Sequence, residues 1–192
     1  MHIAFGQVRC RGLIAIQLGL EVVACSLADD AHALVTLRGT SRFDTSSPQH
    51  RFLDVTGDLM FTTHCPGGEW MYGADICVSP GARGRGIGRA LYDARKAACR
   101  RLNCRAIVSG GLLAGYGRFA AEESTTGGTK EPLNPEAYVE RVVAGELRDP
   151  TLSFQLHNGF EVLGVIKDYV EDPSCGGYAA AIVWWNPDFR SR

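Results

Sequence analysis

Long apolar runs are absent from this sequence. The stretch from Leu13 to Leu20 is broken by Gln17 and falls well short of the roughly 20 apolar residues that cross a bilayer. No basic n-region precedes it, so neither a signal peptide nor a membrane partner is expected. Ordered cysteine spacing is also missing. Cys10, Cys25, Cys65, Cys77, Cys99, Cys104 and Cys175 are odd in number, with no C-x-x-C and no nearby His pair, which argues against both a disulfide framework and a metal site. Reduced thiols serving mainly as small buried hydrophobes, in a cytoplasmic protein, fit best. Charge of either sign is hardly in excess: 20 basic and 21 acidic residues leave −1. That balance removes the usual ground for a dedicated nucleic-acid partner. Repeats and low-complexity tracts are lacking, and with 45% hydrophobic residues the composition excludes disorder and collagen-like structure.

The chain's 192 residues suit a single domain over 1–192, long enough to bury roughly 70% of its unfolded surface without covalent staples. Residues 7–16 and 21–27 read as two β-rich runs joined around Leu18-Gly19, as in a hairpin. Residues 28–68 carry turn signals and read as irregular with short strands. A strand is predicted over Trp70–Val78 and is stopped by Pro80-Gly81. Ile87, Leu91, Ala94, Ala98 and Leu102 then recur at helical spacing, the clearest amphipathic helix in the chain. Ala106–Ser109 reads as a short buried strand, after which Gly110-Gly111 opens a polar segment to about Asn134. A helix from Pro135 to Gly145 and a shorter one from Asp149-Pro150 to Asn158-Gly159 follow. Two strands, Phe160–Ile166 and Tyr178–Trp185, end the pattern, which implies a mixed α/β sheet with its chemistry near the glycine-rich turn.

That turn, from Ile76-Cys77-Val78 through Arg83-Gly84-Arg85-Gly86-Ile87-Gly88-Arg89, lies between a strand and the amphipathic helix. Glycines there allow several backbone N–H groups to converge on an anion, which the positive end of the helix also favours. A P-loop needs Lys-Ser or Lys-Thr after the glycines, and none follows. The dinucleotide fingerprint needs a third glycine where Arg89 stands. Neither ATP nor NAD is favoured. The remaining pattern is Arg83-x-x-Gly86-x-Gly88, preceded by Val78-x-Pro80 and followed by Leu91 on a helix.

With those residues the sequence resembles the acetyl-CoA site of the GNAT superfamily of N-acetyltransferases. The resemblance implies a mixed, mostly antiparallel sheet with flanking helices, with coenzyme A as cofactor. Ile76, Cys77 and Val78 would line its pantetheine arm, and Arg83, Gly84, Arg85, Gly86, Ile87, Gly88 and Arg89 would cradle its pyrophosphate. A second match runs from Leu152 to Val162, where the family has an aromatic on a late helix, here Phe154, and then Gly159-Phe160. More narrowly, Gly73-Ala74-Asp75-Ile76, Gly110-Gly111, Gly115-Tyr116 and Phe154–Val165 look like the GNAT modules attached to nitrilase-like amidohydrolases. No hydrolase is present in this chain. Residues 7–186 are covered, most firmly 70–111 and 149–186.

Two departures stand out. The family often has a Tyr after the late-helix aromatic, acting as general acid for the leaving thiolate, whereas Gln155 follows Phe154. The usual N-terminal strand and helices do not fit before the first β-like run, so the fold is expected to be shortened there. A partner subunit could cover the edge left exposed, and a homodimer is the form to look for.

The resemblance implies transfer of an acetyl group to a small-molecule or peptide amine by direct attack, since no Cys has an evident His partner, although Cys77 is placed to challenge that. An ammonium cannot attack a thioester, so a carboxylate, Tyr or water chain must take its proton. Catalytic candidates are Tyr72, Asp75 and Tyr116. Asp75 is opposite in parity to Tyr72 and Ile76, so all three cannot face one site unless the strand is bulged. Asp75 reads equally as a capping or pairing residue, and Tyr116 equally as loop packing. His157 reads as a helix C-terminal residue. Eight basic residues between Arg83 and Arg105 against Asp93 give +7, leaving −8 for the rest; Lys96, Arg100 and Arg101 read as a solvated face. A non-catalytic acyl-CoA-binding or scaffold module stays open as the alternative. RNA binding by the basic helix is weaker, because only Tyr92 interleaves its arginines.

Overall fold

The computed structural model describes residues 21–22, 25–27, 30–39, 45–125 and 134–191, with side chains over 45–122 and 134–191. The expected run 7–16, its turn at Leu18-Gly19 and the shortened N-terminus lie outside the described residues.

Among the described residues, seven strands form one sheet. β1 (Glu21–Val22) and β2 (Cys25–Leu27) both pair antiparallel with β3 (Asp30–Gly39). Their registers agree, since Glu21 faces Thr36 and Cys25 faces His32, four residues on along each strand. β4 (Trp70–Cys77), β5 (Ala106–Leu112), β6 (Glu161–Ile166) and β7 (Ala179–Trp185) complete it. The order is β1-β3-β4-β5-β7-β6. Only β4 and β5 are parallel, so the sheet is mixed and mostly antiparallel.

The helices are α1 (Phe52–Thr56), α2 (Ile87–Arg101), α3 (Tyr116–Thr125), α4 (Pro135–Val143) and α5 (Leu152–His157). Along α2 the buried side chains are Leu91, Tyr92, Arg95, Ala98 and Cys99. The apolar stripe is thus rotated from the expected one, and Arg95 lies under the sheet. Asn134 caps α4 by accepting from the Ala137 N–H at 2.7 Å. Asp149 caps α5, its fully buried carboxylate accepting from the Thr151 and Leu152 amides, both at 2.8 Å.

Side chains alternate across the sheet. Met71, Ile107, Ala180 and Ile182 join Tyr92, Ala98 and Leu152 on one face. Tyr72, Val108 and Val183 meet Val55 and Phe61 on the other, where Phe52, Tyr169 and Ala181 also pack. Two expectations need correction. Residues 28–68 contain a ten-residue strand, β3, and the short helix α1. Gly110-Gly111 does not open a loop but lies inside β5, and α3 forms within the polar segment. The glycines stay extended there because side chains from elsewhere occupy the space their own would fill.

Candidate functional site

The site begins with a break in pairing. β4 and β5 are in register only through Trp70–Ala106, Met71–Ile107 and Tyr72–Val108. Beyond those pairs β4 stays on β3 as far as Cys77, and β5 stays on β7 as far as Leu112. The strands part, and a gap opens between residues 73–77 and 109–112. A bulge marks its vertex: Val35 faces Asp75 but Thr36 faces Gly73, so Ala74 is the extra residue. This inverts the side-chain alternation. Tyr72 and Asp75 come to share one face, while Ile76 joins Met71 and Gly73 on the other, which resolves the parity conflict among the catalytic candidates. Ser109 Oγ donates to the Gly73 carbonyl at 2.7 Å across the vertex.

On the α2 face, the glycine-rich loop has the shape of an anion cradle. Gly84 and Gly86 lie at φ +77° and +81°, and a Cβ at either would meet no atom within 4 Å. Gly86 is the N-cap of α2, and no side chain caps the helix there. The first-turn amides therefore face open space. Arg83, Arg85 and Arg89 are exposed around the cradle, and Arg83 Nε reaches the Val78 carbonyl at 3.3 Å. Phe154, 40% exposed, lies against Gly88, where a Cβ would approach its ring to 2.9 Å. Ile76 is half-buried, and Cys77 is exposed at the end of β4. These residues would hold a phosphorylated ligand at the loop and its extended arm along the gap.

Deeper on this face lie Arg95, to which the sequence assigns no role, and Gln155, which stands where the resemblance has a Tyr. Arg95 is 2% exposed and donates to the Asp75 carbonyl at 2.5 Å, tying α2 to the bulge. Burial lowers its pKa to about 10, against the raising fields of Tyr92 and Asp75, so it stays charged at neutral pH. Gln155 is 5% exposed and pressed against Gly111, and its Oε1 is buried with no hydrogen-bond partner. A buried orphan acceptor beside the gap suits a ligand N–H.

The opposite face carries a chain of polar side chains. His50 Nδ1 is 2.8 Å from the Pro48 carbonyl, His50 Nε2 is 2.8 Å from Tyr72 Oη, and Tyr72 Oη is 2.9 Å from Tyr169 Oη. Gln49 fixes the segment, donating to the Val165 carbonyl at 2.6 Å and accepting from the Lys167 amide at 3.1 Å. Tyr169 follows Asp168 in the left-handed region (φ +52°), and its carbonyl accepts from the Phe52 amide at 3.0 Å. Its ring stands where a Gly110 Cβ would be, 2.3 Å from that position. Gly110 lies where β5 has parted from β4, and its backbone N–H works against the rise in both phenol pKa values.

Burial lowers the His50 pKa, opposed by the Pro48 carbonyl and the Asp54 charge. Burial raises both Tyr72 and Tyr169 well above ordinary phenols. Asp75 is also raised by burial, with the Ile76 amide and Arg95 opposing.

Tyr72 and Asp75 are thus brought together. Tyr116 sits elsewhere, stacked edge-on against Tyr138 and Tyr178 at 5.4 Å each. His157 ends α5, its Nδ1 2.5 Å from the Ser153 carbonyl. Lys96 and Arg100 are not simply solvated: both lie over Trp184, Lys96 donates to the Asn158 carbonyl at 2.6 Å, and Arg100 pairs with Asp188 at 3.2 Å. His50 and Tyr169 were missed because neither lies in a motif; the one sequence sign was Gly110, a strand glycine that marks a close approach.

Residues 50–112 match the model of the acetyltransferase (GNAT) family. A probable hydrolase, YhcX, of Bacillus subtilis (strain 168) is 36% identical over 148 residues, 77% of this chain and 27% of that protein. The uncharacterized N-acetyltransferase YkwB of the same organism is 30% identical over 149 residues, 78% of this chain and 62% of that one. The chain therefore spans about a quarter of the first relative and under two thirds of the second. Two solved structures share the fold. GphF, a GNAT-like decarboxylase in complex with isobutyryl-CoA, gives a TM-score of 0.63 at 23% identity, over 84% of this chain and 76% of that one. The loading GNATL domain of CurA from Lyngbya majuscula gives 0.65 at 15% identity, over 84% and 74%.

Proposed function

The chain belongs to the GNAT superfamily, and from that premise we propose that it is a cytoplasmic, acetyl-CoA-dependent N-acetyltransferase acting on an amine by direct attack. Family and fold support acyl transfer in general; acetyl as the acyl group and an amine as the acceptor are the parts proposed. The observation that carries the reading is the uncapped start of α2, with its open glycines at 84 and 86, beside a gap between two strands that have stopped pairing.

The residues fit coenzyme A in three respects. The amides of Ile87, Gly88 and Arg89, rimmed by exposed arginines, offer donors and positive charge to a pyrophosphate. Residues Ile76, Cys77 and Val78 line the gap beside the cradle, where an extended arm would lie. The orphan Gln155 Oε1 would accept from an amide N–H of such an arm. Bound there, the cofactor supplies an acyl group activated as a thioester.

The opposite face is left for the acceptor. Asp75, half-buried at the gap, would pair with an incoming ammonium, and Tyr72 would stand behind it. Rate enhancement then rests on holding the amine and the acyl carbon in contact across the gap. Tyr116 would belong to the acceptor side only through its neighbours, since its own ring is spent on the stack with Tyr138 and Tyr178.

One observation favours a second reading, a non-catalytic acyl-CoA-binding module. Gln155 has no proton to give a leaving thiolate, and it occupies the position where the resemblance called for a Tyr. Calorimetric titration with acetyl-CoA, followed by an amine screen monitored by thiol release, separates the two. Saturable binding that is abolished in Gly86→Val, with its fold intact by circular dichroism, is expected, because a β-branched residue at φ +81° is strained and blocks the cradle. Binding without turnover selects the module reading, and unchanged affinity in Gly86→Val overturns the cofactor assignment.

A further inference from the structure

We propose that His50, Tyr72 and Tyr169 form a one-way proton relay that leads from the acceptor side of the gap to His50. Its use rests on the acyl-transfer reading, whereas its direction follows from the hydrogen bonds around a neutral imidazole.

The Pro48 carbonyl can only accept, so His50 Nδ1, 2.8 Å away, must carry a proton. In neutral imidazole the other nitrogen is then an acceptor. Tyr72 Oη, 2.8 Å from Nε2, must therefore donate its single proton to His50. With that proton committed, the 2.9 Å contact between the phenols can be filled only by Tyr169 donating to Tyr72. Each step fixes the next, and all three donors point the same way, toward His50. Tyr169 keeps lone pairs for a donor arriving from the gap.

Position supports the same use. Tyr169 lies over Gly110, on the part of β5 that has parted from β4. The register shift at Ala74 puts Asp75 on the same face of β4 as Tyr72, so an ammonium held by Asp75 would lie on the tyrosines' side of the sheet. The transfer is a deprotonation: the acceptor R–NH3+ gives a proton to Tyr169 Oη, Tyr169 passes its own to Tyr72, and Tyr72 passes its own to His50 Nε2. The products are R–NH2, two intact phenols and one imidazolium, so charge and protons balance. The nitrogen keeps the electron pair it needs for attack, and the relay resets when the imidazolium loses one proton and the hydroxyl hydrogens turn back toward His50.

The groups facing His50 are consistent with this role. Tyr72 and Tyr169 approach edge-on at 5.5 Å from β4 and from the β6–β7 connection, and Asp54 of α1 is near enough to raise its pKa. Burial outweighs Asp54 and keeps the imidazole neutral at pH 7, ready to accept. The raised phenols keep their protons there and act as conduits rather than as anions.

Two measurements decide the matter. Imidazole 15N–1H correlation spectra of the ligand-free wild type, followed from about pH 5 to about pH 8 across the histidine range and assigned with His50→Gln, should show the Nδ1–H tautomer. Tyr169→Phe keeps the ring that packs on His50 and removes a hydroxyl bonded to Tyr72, yet it should shift the His50 ring nitrogen signals by weakening the Tyr72 donor. An Nε2–H tautomer, or His50 signals indifferent to Tyr169→Phe, overturns the relay whether or not any amine is turned over. In acetyl-CoA turnover with benzylamine as probe, His50→Gln and Tyr169→Phe should each lower kcat on the order of 10²-fold and remove the acid limb of the pH profile. Calorimetric affinity for acetyl-CoA should not change in either variant. A retained acid limb in His50→Gln refutes the relay, whereas loss of acetyl-CoA binding in the wild type would refute the acyl-transfer reading and leave the spectra to judge the relay.

Discussion

Gly111 and Gln155 offer a sharp test of how the gap is packed. Gly111 has no positive φ, so alanine there is strained by contact alone. Its Cβ would stand 2.1 Å from Gln155 Oε1, 2.9 Å from Cδ and 3.1 Å from Nε2. Gln155 is 5% exposed and cannot swing into solvent. Overpacking of a filled interior costs about 1–3 kcal/mol, against which glycine-to-alanine at an allowed position returns about 0.4–1 kcal/mol through the unfolded chain. The net expectation for Gly111→Ala is a loss of about 1–2 kcal/mol, or several degrees in Tm for a domain this size. Gln155→Ala removes the obstructing atoms, so in that background the same change should be neutral or stabilising. Urea denaturation of the two single variants and the double one measures the coupling, expected to be about 1 kcal/mol or more. If Gly111→Ala costs the same with and without Gln155, the close approach described here is wrong.

Three further outcomes are expected. Asp149→Asn should cost about 2–3 kcal/mol in urea denaturation, because the buried carboxylate accepts from the Gly115, Thr151 and Leu152 amides and from Tyr138 Oη, and an amide N–H2 cannot replace an acceptor. Arg83→Ala and Arg85→Ala, both at exposed positions, should each weaken acetyl-CoA binding by only about 0.2–1 kcal/mol, and by less at high salt; calorimetry at two ionic strengths checks this. His50 has a native pKa lowered from 6.5 by burial, so between that lowered value and 6.5 the unfolded chain binds the proton more readily than the native one. Stability associated with His50 is therefore intact above pH 6.5 and is lost as pH falls through the lowered value. Tm against pH should fall less steeply over this window in His50→Gln than in wild type.

The elements legible in the sequence are those whose signal is local. α2 declared itself by its 3.6-residue period, α4 by Asn134-Pro135, α5 by Asp149-Pro150, and β6 and β7 by runs of β-compatible residues between turns. The cradle was legible for the same reason, since Gly84, Gly86 and the start of α2 are adjacent in sequence. What was not legible depends on pairing between distant segments. The bulge at Ala74 shows only as a shift of register against β3, and the relay joins His50 to Tyr169, which no local pattern connects. In the sequence Arg95 is one of eight basic residues in a charge sum; its burial follows from Gly73, which leaves room for a guanidinium where any other residue would collide with it. Gly110-Gly111 was read as a turn because glycine usually breaks a strand. Here the pair persists in β5 because Tyr169 fills one side and Gln155 the other.

The same two strands explain why the gap stays open instead of zipping shut. Each is held along its outer edge, β4 by β3 out to the Ala33–Cys77 pair and β5 by β7 out to the Leu112–Ala179 pair. The inner edges still carry backbone donors and acceptors, which would favour closure unless they were satisfied otherwise. Side chains take that place: Ser109 Oγ serves the Gly73 carbonyl, Arg95 serves the Asp75 carbonyl, and the Tyr169 ring stands over Gly110. The partners come from both faces of the sheet, Arg95 from the face of α2 and the tyrosines from the opposite one. A substitution at any of them removes an interaction that keeps the strands apart, which couples the two faces through the backbone between them.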